Sequence, residues 1–316
     1  MKKYIDLSDF NNFKKNLSTL VDNFAEKKFL LAISGGADSM ALATFFIIEN
    51  LKFEIAHVNY HFRGEDSNLD QKLVEDFCAK NSIKFHLKNV TEDEKAQMKS
   101  LQNWAREIRY NFFFDVLKKE KLDYIVTAHH LNDELETFFI NLSRGSGIKG
   151  LSGIPKNENK ILRPLLNYSK SDIYNYNKEN KIDFREDKSN QKDDYLRNKI
   201  RNHLTPKLLE IFPQFLEQFG ESLSYLNSVN DFYQNEIEKT FQEILLEENE
   251  GDFTLNKEIL LQKPRILIVE IIRKLGFTGL EIDKIINAEN GKFFRSSTHE
   301  ISIKRKKIIC FRRPIK

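Results

Sequence analysis

Residues 34–39 combine two glycines, two serines and an aspartate in a pattern that suits the binding of an anion. The segment reads Ser34-Gly35-Gly36-Ala37-Asp38-Ser39. Adjacent glycines let the backbone turn sharply and present successive N–H groups, and the serines add hydroxyl donors. Since the carboxylate of Asp38 would repel a phosphate, its presence favours a Mg²⁺ ion bound beside one. A tight strand-to-helix turn capped by serine is the alternative interpretation.

Two acids, Asp133 and Glu136, form a second group with chemical potential. They are three residues apart in a segment with a helical pattern, so both side chains are expected on one face. Two carboxylates placed together can hold an ammonium group, and one of them can take its proton. Acids also favour the N-terminus of a helix for purely electrostatic reasons. The residues alone leave both interpretations open.

A pair of arginines and a pair of histidines are also open to alternative interpretations. Arg106 and Arg109 share a face of a predicted helix and can neutralise charge near phosphates or a base, or they can belong to a solvated surface. His129 and His130 follow a predicted strand. Because neighbours on a strand point to opposite faces, one metal ion is not expected to bridge the two histidines.

Alternating strand-like and helix-like segments between residues 29 and 140 must position these candidates. Short apolar runs predict strands at Phe29–Ser34, Phe53–Asn59, Lys84–Val90 and Tyr124–Ala128. Helical spacing predicts helices at Asp38–Asn50, Leu69–Asn81, Leu101–Glu120 and Asp133–Leu142. The alternation predicts an α/β fold with a doubly wound parallel sheet. Ligands of such folds bind beyond the carboxyl ends of the strands, where the candidate residues begin.

Charge and composition predict three parts. These are a catalytic domain at 1–210, a helical connector at 211–250, and a small C-terminal α/β domain at 251–316 with a strand-like end, Glu300–Phe311. Between Lys292 and Lys316, nine Lys or Arg residues face one acid, a net charge of +8. That leaves −5 for residues 1–291, because the chain carries +3. Such a tail suits a polyanionic partner, with a solubilising terminus as the alternative.

Several protein classes are excluded by composition. The chain has only two cysteines, Cys78 and Cys310, and no C-x-x-C pair, which excludes a disulfide framework and a four-cysteine metal or iron–sulfur site. Its longest apolar stretch, Met40–Ile48, is about half as long as a bilayer span. The chain is therefore expected to be cytoplasmic, with no membrane partner. Its oligomeric state stays open, with a homodimer as one option.

The 34–39 segment lacks the G-x-x-x-x-G-K-[ST] pattern of a Walker-type site. It resembles the PP-loop of the ATP pyrophosphatase family, whose members cleave ATP between the α and β phosphates and leave AMP on the substrate. A series of further blocks is similar, in order, to the tRNA(Ile)-lysidine synthetase family over roughly residues 28–210. The blocks are AHVNYHFRG at 56–64, AREIRY at 105–110, AHHLNDELET at 128–137, LSRGSG at 142–147, RPLL at 163–166, DKSN at 187–190 and YLRNKIR at 195–201. A fainter similarity continues to residues 291–299.

This resemblance implies a two-step reaction on RNA. The wobble cytidine of a tRNA(Ile) with a CAU anticodon would attack ATP through its C2 oxygen and release pyrophosphate. The side-chain amine of free L-lysine would then attack C2 and expel AMP. The modified tRNA would accept isoleucine rather than methionine and read AUA rather than AUG. ATP and Mg²⁺ are the cofactors that the resemblance implies.

The resemblance also implies roles for individual residues. ATP would be bound by residues 34–39 and by His57, for which a packed histidine is the alternative. Free lysine would be bound by Asp133 and Glu136. The residues expected to act in catalysis are Asp38, Arg109, Asp133 and Glu136. Those expected to contact tRNA are Arg144, Asn190, Arg197, Asn198 and Arg201, although an exposed charged helix would also explain Arg197 and Arg201.

Two positions depart from the family pattern. Asn132 stands where the family usually has Asp, and Glu134 where it often has Gln, which leaves Asn132 a weak candidate ligand. Many relatives in the family carry a second C-terminal domain that contacts the acceptor stem. This chain ends at Lys316 without one, so it is expected to be a natural short form or a truncated one.

Two rival functions remain open. Another PP-loop enzyme, such as a tRNA thiolase or an amidotransferase-type synthetase, is disfavoured because the chain shows neither paired cysteines nor a glutaminase domain. A non-catalytic protein that binds RNA and keeps only a relic of a nucleotide site is disfavoured, because the chain retains Asp38, Ser39, Asp133 and Glu136 together.

Overall fold

The computed structural model describes residues 10–96, 101–186 and 196–313. The chain divides into two compact units, Met1–Ser224 and Tyr225–Lys316. The boundary falls inside the segment 211–250, which the sequence predicts as a helical connector. Most of that segment is one long helix, α11, at Phe215–Ile244. The three-part division at 210 and 250 stays a prediction.

A six-stranded sheet forms the centre of the first unit. Its strands are β1 Lys28–Ala32, β2 Lys52–Asn59, β3 Phe85–Asn89, β4 Tyr124–Val126, β5 Asn157–Glu158 and β6 Ile161–Leu162. They are ordered β3-β2-β1-β4-β6-β5, and every neighbouring pair is parallel except β5 with β6. This sheet confirms the predicted doubly wound α/β fold.

The helices of the first unit alternate with these strands. They are α1 Phe10–Leu20, α2 Ala37–Ile48, α3 Glu65–Lys80, α4 Glu92–Ala96, α5 Leu101–Lys119, α6 Leu131–Ser143, α7 Ile148–Leu151, α8 Lys170–Glu179, α9 Leu196–Lys199 and α10 Thr205–Ile211. A 3₁₀ turn lies at Phe24–Glu26, and a π-helical turn at Ile200–Leu204 joins α9 to α10. No helix in the described part of the chain is long and apolar enough to cross a membrane.

Hydrophobic clusters cover both faces of the parallel sheet. Along β1, Phe29 and Leu31 belong to the cluster that contains α2, whereas Leu30 belongs to the cluster that contains α5. This follows from the alternation of side chains along a strand. Helix α2 is apolar nearly all round because most of its residues are buried. The sheet is therefore covered on both faces and supports the loops at its carboxyl edge.

Three strands deliver the candidate residues to that edge. Strand β1 pairs in parallel with β2 on one side and with β4 on the other. The segments that follow Ala32, Asn59 and Val126 therefore open at one edge of the sheet. Residues 34–39, the block around Tyr60 and the pair His129-His130 lie in these segments.

The second unit contains a five-stranded antiparallel sheet in the order β7-β8-β11-β10-β9. Its elements are β7 Leu245–Asn249, β8 Asp252–Asn256, α12 Lys257–Leu261, α13 Arg265–Lys274, α14 Leu280–Ile286, β9 Phe293–Arg295, β10 His299–Lys304 and β11 Lys307–Arg312. The predicted strand-like end is a hairpin that turns at Arg305, whose φ is +54°. Ile301, Ile303 and Ile308 of this hairpin are buried in the core of the unit.

Candidate active site

The turn after β1 is held by hydrogen bonds among its own residues. The Ser39 hydroxyl donates to the Gly36 carbonyl (2.9 Å) and accepts from the Ser34 N–H (3.2 Å). The Gly36 N–H donates to the Ser34 hydroxyl (3.3 Å). Gly35 has φ +89°, and a Cβ there would lie 3.3 Å from the Asp70 carbonyl oxygen. Position 35 therefore requires glycine for both its conformation and its space.

Two arginines that the sequence did not single out for this role support the turn from outside. The Arg185 N–H donates to the Gly35 carbonyl (3.0 Å). Its guanidinium donates to Asp70 (2.7 Å) and to Asp66 (2.8 Å). Arg63 donates to the other oxygen of Asp70 (2.6 Å). Asp70 is buried, so these charged hydrogen bonds fix the carboxylate against the back of the turn.

His130 lies between the acid of the turn and the first acid of α6. Its Nε2 is 3.5 Å from Asp38 Oδ2, and its Nδ1 is 3.5 Å from Asp133 Oδ2. The His130 N–H also donates to Asp133 Oδ2 (3.0 Å). Burial opposes a charge on this imidazole, but the carboxylates of Asp133, Asp38 and Glu136 outweigh burial and raise its pKa. One imidazole therefore connects the two candidate sites.

The neighbouring His129 has a different environment. Its Nδ1 is hydrogen-bonded to the Thr127 hydroxyl (2.8 Å). Burial lowers the pKa of His129 to about 4, with nearby arginines adding to the effect against the opposing charge of Asp133. The two histidines therefore differ in their partners and in the direction in which their pKa values shift.

Asp133 and Glu136 share one face of α6, and arginines from a distant segment contact that face. Glu136 is 1% exposed and accepts from Arg201 Nε (2.6 Å) and Nη2 (3.0 Å). Arg197 Nε lies 3.2 Å from the same carboxylate, and Arg201 Nη2 lies 3.7 Å from Asp133 Oδ1. We call these four residues the acid–arginine cluster. The acids predicted to bind lysine and the arginines predicted to bind RNA are thus in contact with each other.

The pKa values of the two acids in this cluster shift in opposite directions. Burial raises the pKa of Glu136, although Arg201 and Arg197 oppose the effect. Burial also acts on Asp133, but His130, His129 and a backbone N–H outweigh it and lower the pKa of Asp133. Asp133 is therefore the carboxylate that stays charged, and Glu136 is the stronger base.

The positions that depart from the family pattern have structural contacts. The Asn132 side-chain oxygen accepts from the Lys170 N–H (2.9 Å). Glu134 is 2% exposed and accepts from the Ile154 N–H (2.6 Å). Gly153 has φ +81°, and a Cβ there would overlap the Glu134 carboxylate. Burial raises the pKa of Glu134 to about 7, and its hydrogen bond from Ile154 connects α6 to the 153–154 loop.

Three further predicted residues, His57, Arg109 and Arg144, have different environments. His57 is buried, with Nδ1 2.8 Å from the Ile33 carbonyl, and burial lowers its pKa. The exposed Arg109 donates to the Tyr60 hydroxyl (3.2 Å). Arg144 is exposed at the other end of α6, about 16 Å along the helix axis from Asp133. Their predicted roles with ATP and tRNA stay predictions.

The structure describes one of the two asparagines that are predicted to contact tRNA. Asn198 is half-buried on α9, and Asn190 lies outside the described residues.

Among the described residues, one group of three potential metal ligands is present, Glu54, His86 and Glu120. Lys84 pairs with both of its carboxylates, so a cation of the protein already occupies that group.

Family models match both units of the chain. A model described as a PP-loop domain matches residues 10–208. A model described as the TilS substrate binding domain matches residues 248–313. Among solved structures, the U34-tRNA thiolase NcsA from Methanococcus maripaludis has a TM-score of 0.57 at 18% identity, covering 70% of this chain and 81% of that one. This likeness supports the PP-loop fold alone.

Curated relatives of this chain are named tRNA(Ile)-lysidine synthase, a synonym of the synthetase name used above. The protein from Bacteroides thetaiotaomicron is 35% identical over 84% of this chain and 62% of its own length. The protein from Mesoplasma florum is 34% identical over 87% of this chain and 71% of its own length. The chain thus spans about six to seven tenths of these relatives. It belongs to the tRNA(Ile)-lysidine synthase family.

Proposed function

We propose that this chain ligates L-lysine to C2 of the wobble cytidine in a tRNA(Ile) with a CAU anticodon, at the expense of ATP. The observation that carries the proposal is the position of His130, which lies 3.5 Å from Asp38 and 3.5 Å from Asp133. A nucleotide site and an ammonium site that are separated by one imidazole suit a reaction in which an amine displaces AMP. A cytoplasmic location agrees with this substrate.

The turn at residues 34–39 is the proposed site for the ATP phosphates. Its backbone N–H groups and the start of α2 favour an anion. Within the described residues, Asp38 Oδ1 is buried and meets no hydrogen-bond donor, so this oxygen is suited to bind a cation. Asp38 would hold Mg²⁺ there, and the ion would offset the charge of the pyrophosphate when bound. Because the nearby carboxylates raise the pKa of His130, the environment favours the protonated imidazole at the same place.

Adenylation makes the later displacement feasible. The C2 oxygen of cytidine forms a bond to the α-phosphorus of ATP, and pyrophosphate leaves. The C2 carbon then carries AMP, a far better leaving group than an oxide. When the lysine amine attacks C2, the C–O bond to AMP breaks and the amine loses its proton.

Lysine is proposed to bind at the acid–arginine cluster. Asp133, whose pKa is lowered, holds the ammonium group as a charged partner. Glu136, whose pKa is raised, takes the proton before attack. The Arg201 guanidinium contacts both acids in this structure, so it occupies the position that an ammonium group would take. Lysine and Arg201 therefore compete for the same carboxylates.

The rival PP-loop chemistry finds little support in this chain. A sulfur-transfer reaction of the thiolase kind needs reactive thiols, and Cys78 and Cys310 are both buried. Burial raises the pKa of each thiol to about 12, so neither is a thiolate at neutral pH. They lie in different units, Cys78 on α3 and Cys310 on β11.

The proposal is tested by incubating the protein with ATP, labelled lysine and a tRNA that carries the CAU anticodon. We expect label in the RNA, dependent on ATP and absent when the wobble cytidine is replaced by uridine. Equal labelling of the replaced RNA would show that the substrate assignment is wrong. No labelling of either RNA, in protein that still cleaves ATP, would favour another PP-loop reaction.

A further inference from the structure

Three aromatic side chains gather at the carboxyl edge of the parallel sheet. Tyr60 follows β2, and its ring stacks on Phe62 with centroids 5.4 Å apart and planes 6° from parallel. Trp104 of α5 lies 6.3 Å from Tyr60 and 6.1 Å from Phe62. Phe62 is 45% exposed, so its ring is accessible to a partner. We call these three residues the aromatic platform.

The platform is held in place by the protein itself. The Tyr60 hydroxyl donates to the Ala105 carbonyl (2.7 Å) and accepts from Arg109 Nε (3.2 Å). His61, which stands between Tyr60 and Phe62 in the sequence, adopts φ +55°, and its N–H donates to the Asn59 side chain (2.9 Å). A partner that stacks on these rings would therefore meet a preorganised surface and cause little ordering cost.

Positive charge borders the aromatic surface. The Arg109 guanidinium lies 6.0 Å from the Tyr60 ring centre, and Lys95 Nζ lies 5.7 Å from the Phe62 ring centre. Lys95 also pairs with Glu92, whereas Arg109 is exposed and hydrogen-bonded to Tyr60. Aromatic rings beside cations are the combination that proteins use for unpaired nucleic acid, since bases stack on the rings and phosphates pair with the cations.

The platform opens at the same sheet edge as the proposed ATP site. Strand β2, which leads into Tyr60, runs parallel to β1, which leads into residues 34–39. An RNA loop whose target base reaches the ATP phosphates would therefore bring its neighbouring bases toward this edge. The edge thus offers separate surfaces for a reacting base and for a stacked one.

We propose that the aromatic platform stacks an unpaired nucleobase of the tRNA anticodon loop next to the base that reacts. This inference rests on the function proposed above and names a binding surface for its RNA substrate. The platform recognises the flat face of a base, so it contributes to affinity for the loop. It does not take part in the chemical steps.

The single tryptophan of the chain makes the stacking directly observable. Trp104 is the only tryptophan in the sequence, so the intrinsic tryptophan fluorescence reports on the platform alone. We expect saturable quenching when the whole chain is titrated with a stem-loop RNA that carries the CAU anticodon. A fully paired RNA duplex of equal charge should leave the fluorescence nearly unchanged. Equal quenching by the duplex, or no quenching by the stem-loop, would overturn the proposal.

Titration with ATP alone distinguishes the other source of a nucleobase. The proposal expects no quenching of Trp104 by ATP. If ATP quenches the fluorescence and the stem-loop adds nothing further, the platform binds adenine and the RNA assignment is wrong.

Substitution of Phe62 separates stacking from burial. Because Phe62 is exposed, Phe62→Leu keeps an apolar side chain without disturbing a core, and Phe62→Tyr keeps the ring. We expect Phe62→Leu to raise the Kd for the stem-loop about tenfold, the size of effect that loss of one stacked base produces. Phe62→Tyr and the matched exposed control Phe232→Leu should stay near the wild-type value. Equal Kd values for all three variants would contradict the proposal.

Kinetics keep this inference distinct from the proposed reaction. In Phe62→Leu, the KM for tRNA should rise while kcat for lysine transfer at saturating tRNA stays unchanged. Unchanged KM in an active enzyme would overturn the platform and leave the ligase proposal intact. Quenching by the stem-loop in a protein that transfers no lysine would support the platform and overturn the ligase proposal.

Discussion

The PP-loop turn and the acid–arginine cluster are joined by a single imidazole, yet they are built in different ways. The turn is made by hydrogen bonds between residues two to five positions apart, each of which pairs a backbone group with a serine hydroxyl. In the cluster, Arg201 reaches Glu136 across 65 positions of sequence, and the contact is one of buried charge. The conformation of the local turn is set by its own segment. A charge cluster, in contrast, can exchange its own cation for that of a ligand.

The largest effect is expected from the acid of the turn. Asp38→Ala should lower the rate of pyrophosphate release about a thousandfold, because a group placed at the developing charge is lost. Retention of tRNA on a filter should stay unchanged, since the turn itself does not depend on that side chain. The exposed Asp76→Ala serves as the matched control. Loss of tRNA retention together with activity would instead assign Asp38 to folding.

The next effect concerns the stability of the cluster. Arg201→Leu leaves Glu136 buried with less compensation, so the free energy of unfolding should fall by about 3 kcal/mol, as for other broken buried pairs. Adding Glu136→Gln should restore most of that loss, because the buried carboxylate that Arg201 compensates is then absent. Urea unfolding of the two single variants and the double variant measures the coupling. Additive losses would mean that the contact carries no energy.

Glu134 serves as a comparison with the acids of the acid–arginine cluster. It is buried on the same helix but accepts a hydrogen bond from a backbone N–H instead of from arginines, so it shows how a buried acid behaves without them. The folded chain holds the Glu134 proton up to a pKa of about 7, whereas the unfolded chain loses it near 4.5. The folded state therefore binds more protons in that range, and its free energy of unfolding falls as the pH rises through it.

Glu134→Gln should remove this pH dependence and keep the hydrogen bond from Ile154. Above pH 7.5 the variant should be more stable than the wild type by up to about 3 kcal/mol, with the difference vanishing below pH 4.5. Urea unfolding at a series of pH values measures it. Parallel curves for the two proteins would show that Glu134 is charged in the folded chain.

The smallest effect is expected on substrate affinity. Glu136→Gln should raise the KM for lysine about tenfold, because the cluster proposed to bind the ammonium group loses one of its two carboxylates, while the KM for ATP changes little. Steady-state kinetics with each substrate varied in turn measures both values. An unchanged KM for lysine would remove Glu136 from the lysine site.

Much of the first unit could be predicted because its information is local. The strand, the turn and the helix around residues 34–39 follow from the period of apolar residues and from two glycines. Helix α3 begins at Glu65, four residues before the predicted start, because Gly64 with φ +53° ends the preceding turn and the first helical residues are polar. Polar first turns carry no apolar signal.

Contacts between distant segments could not be predicted. Nothing local in the sequence pairs Arg185 with Asp70 across 115 positions or Arg201 with Glu136. The sequence did not reveal that the arginines on α9 and the π-helical turn contact Glu136, because an exposed charged face and a buried ion pair share one sequence pattern. The strand order of the second unit was likewise out of reach, since antiparallel pairing depends on distant partners.

The identity of the ATP bond that breaks tests the account most directly. With ATP labelled at the α-phosphate, the protein should produce pyrophosphate and labelled AMP, and without lysine the label should stay attached to the tRNA until lysine is added. Formation of labelled ADP and inorganic phosphate, or of AMP that never passes through the RNA, would contradict the PP-loop ligase account.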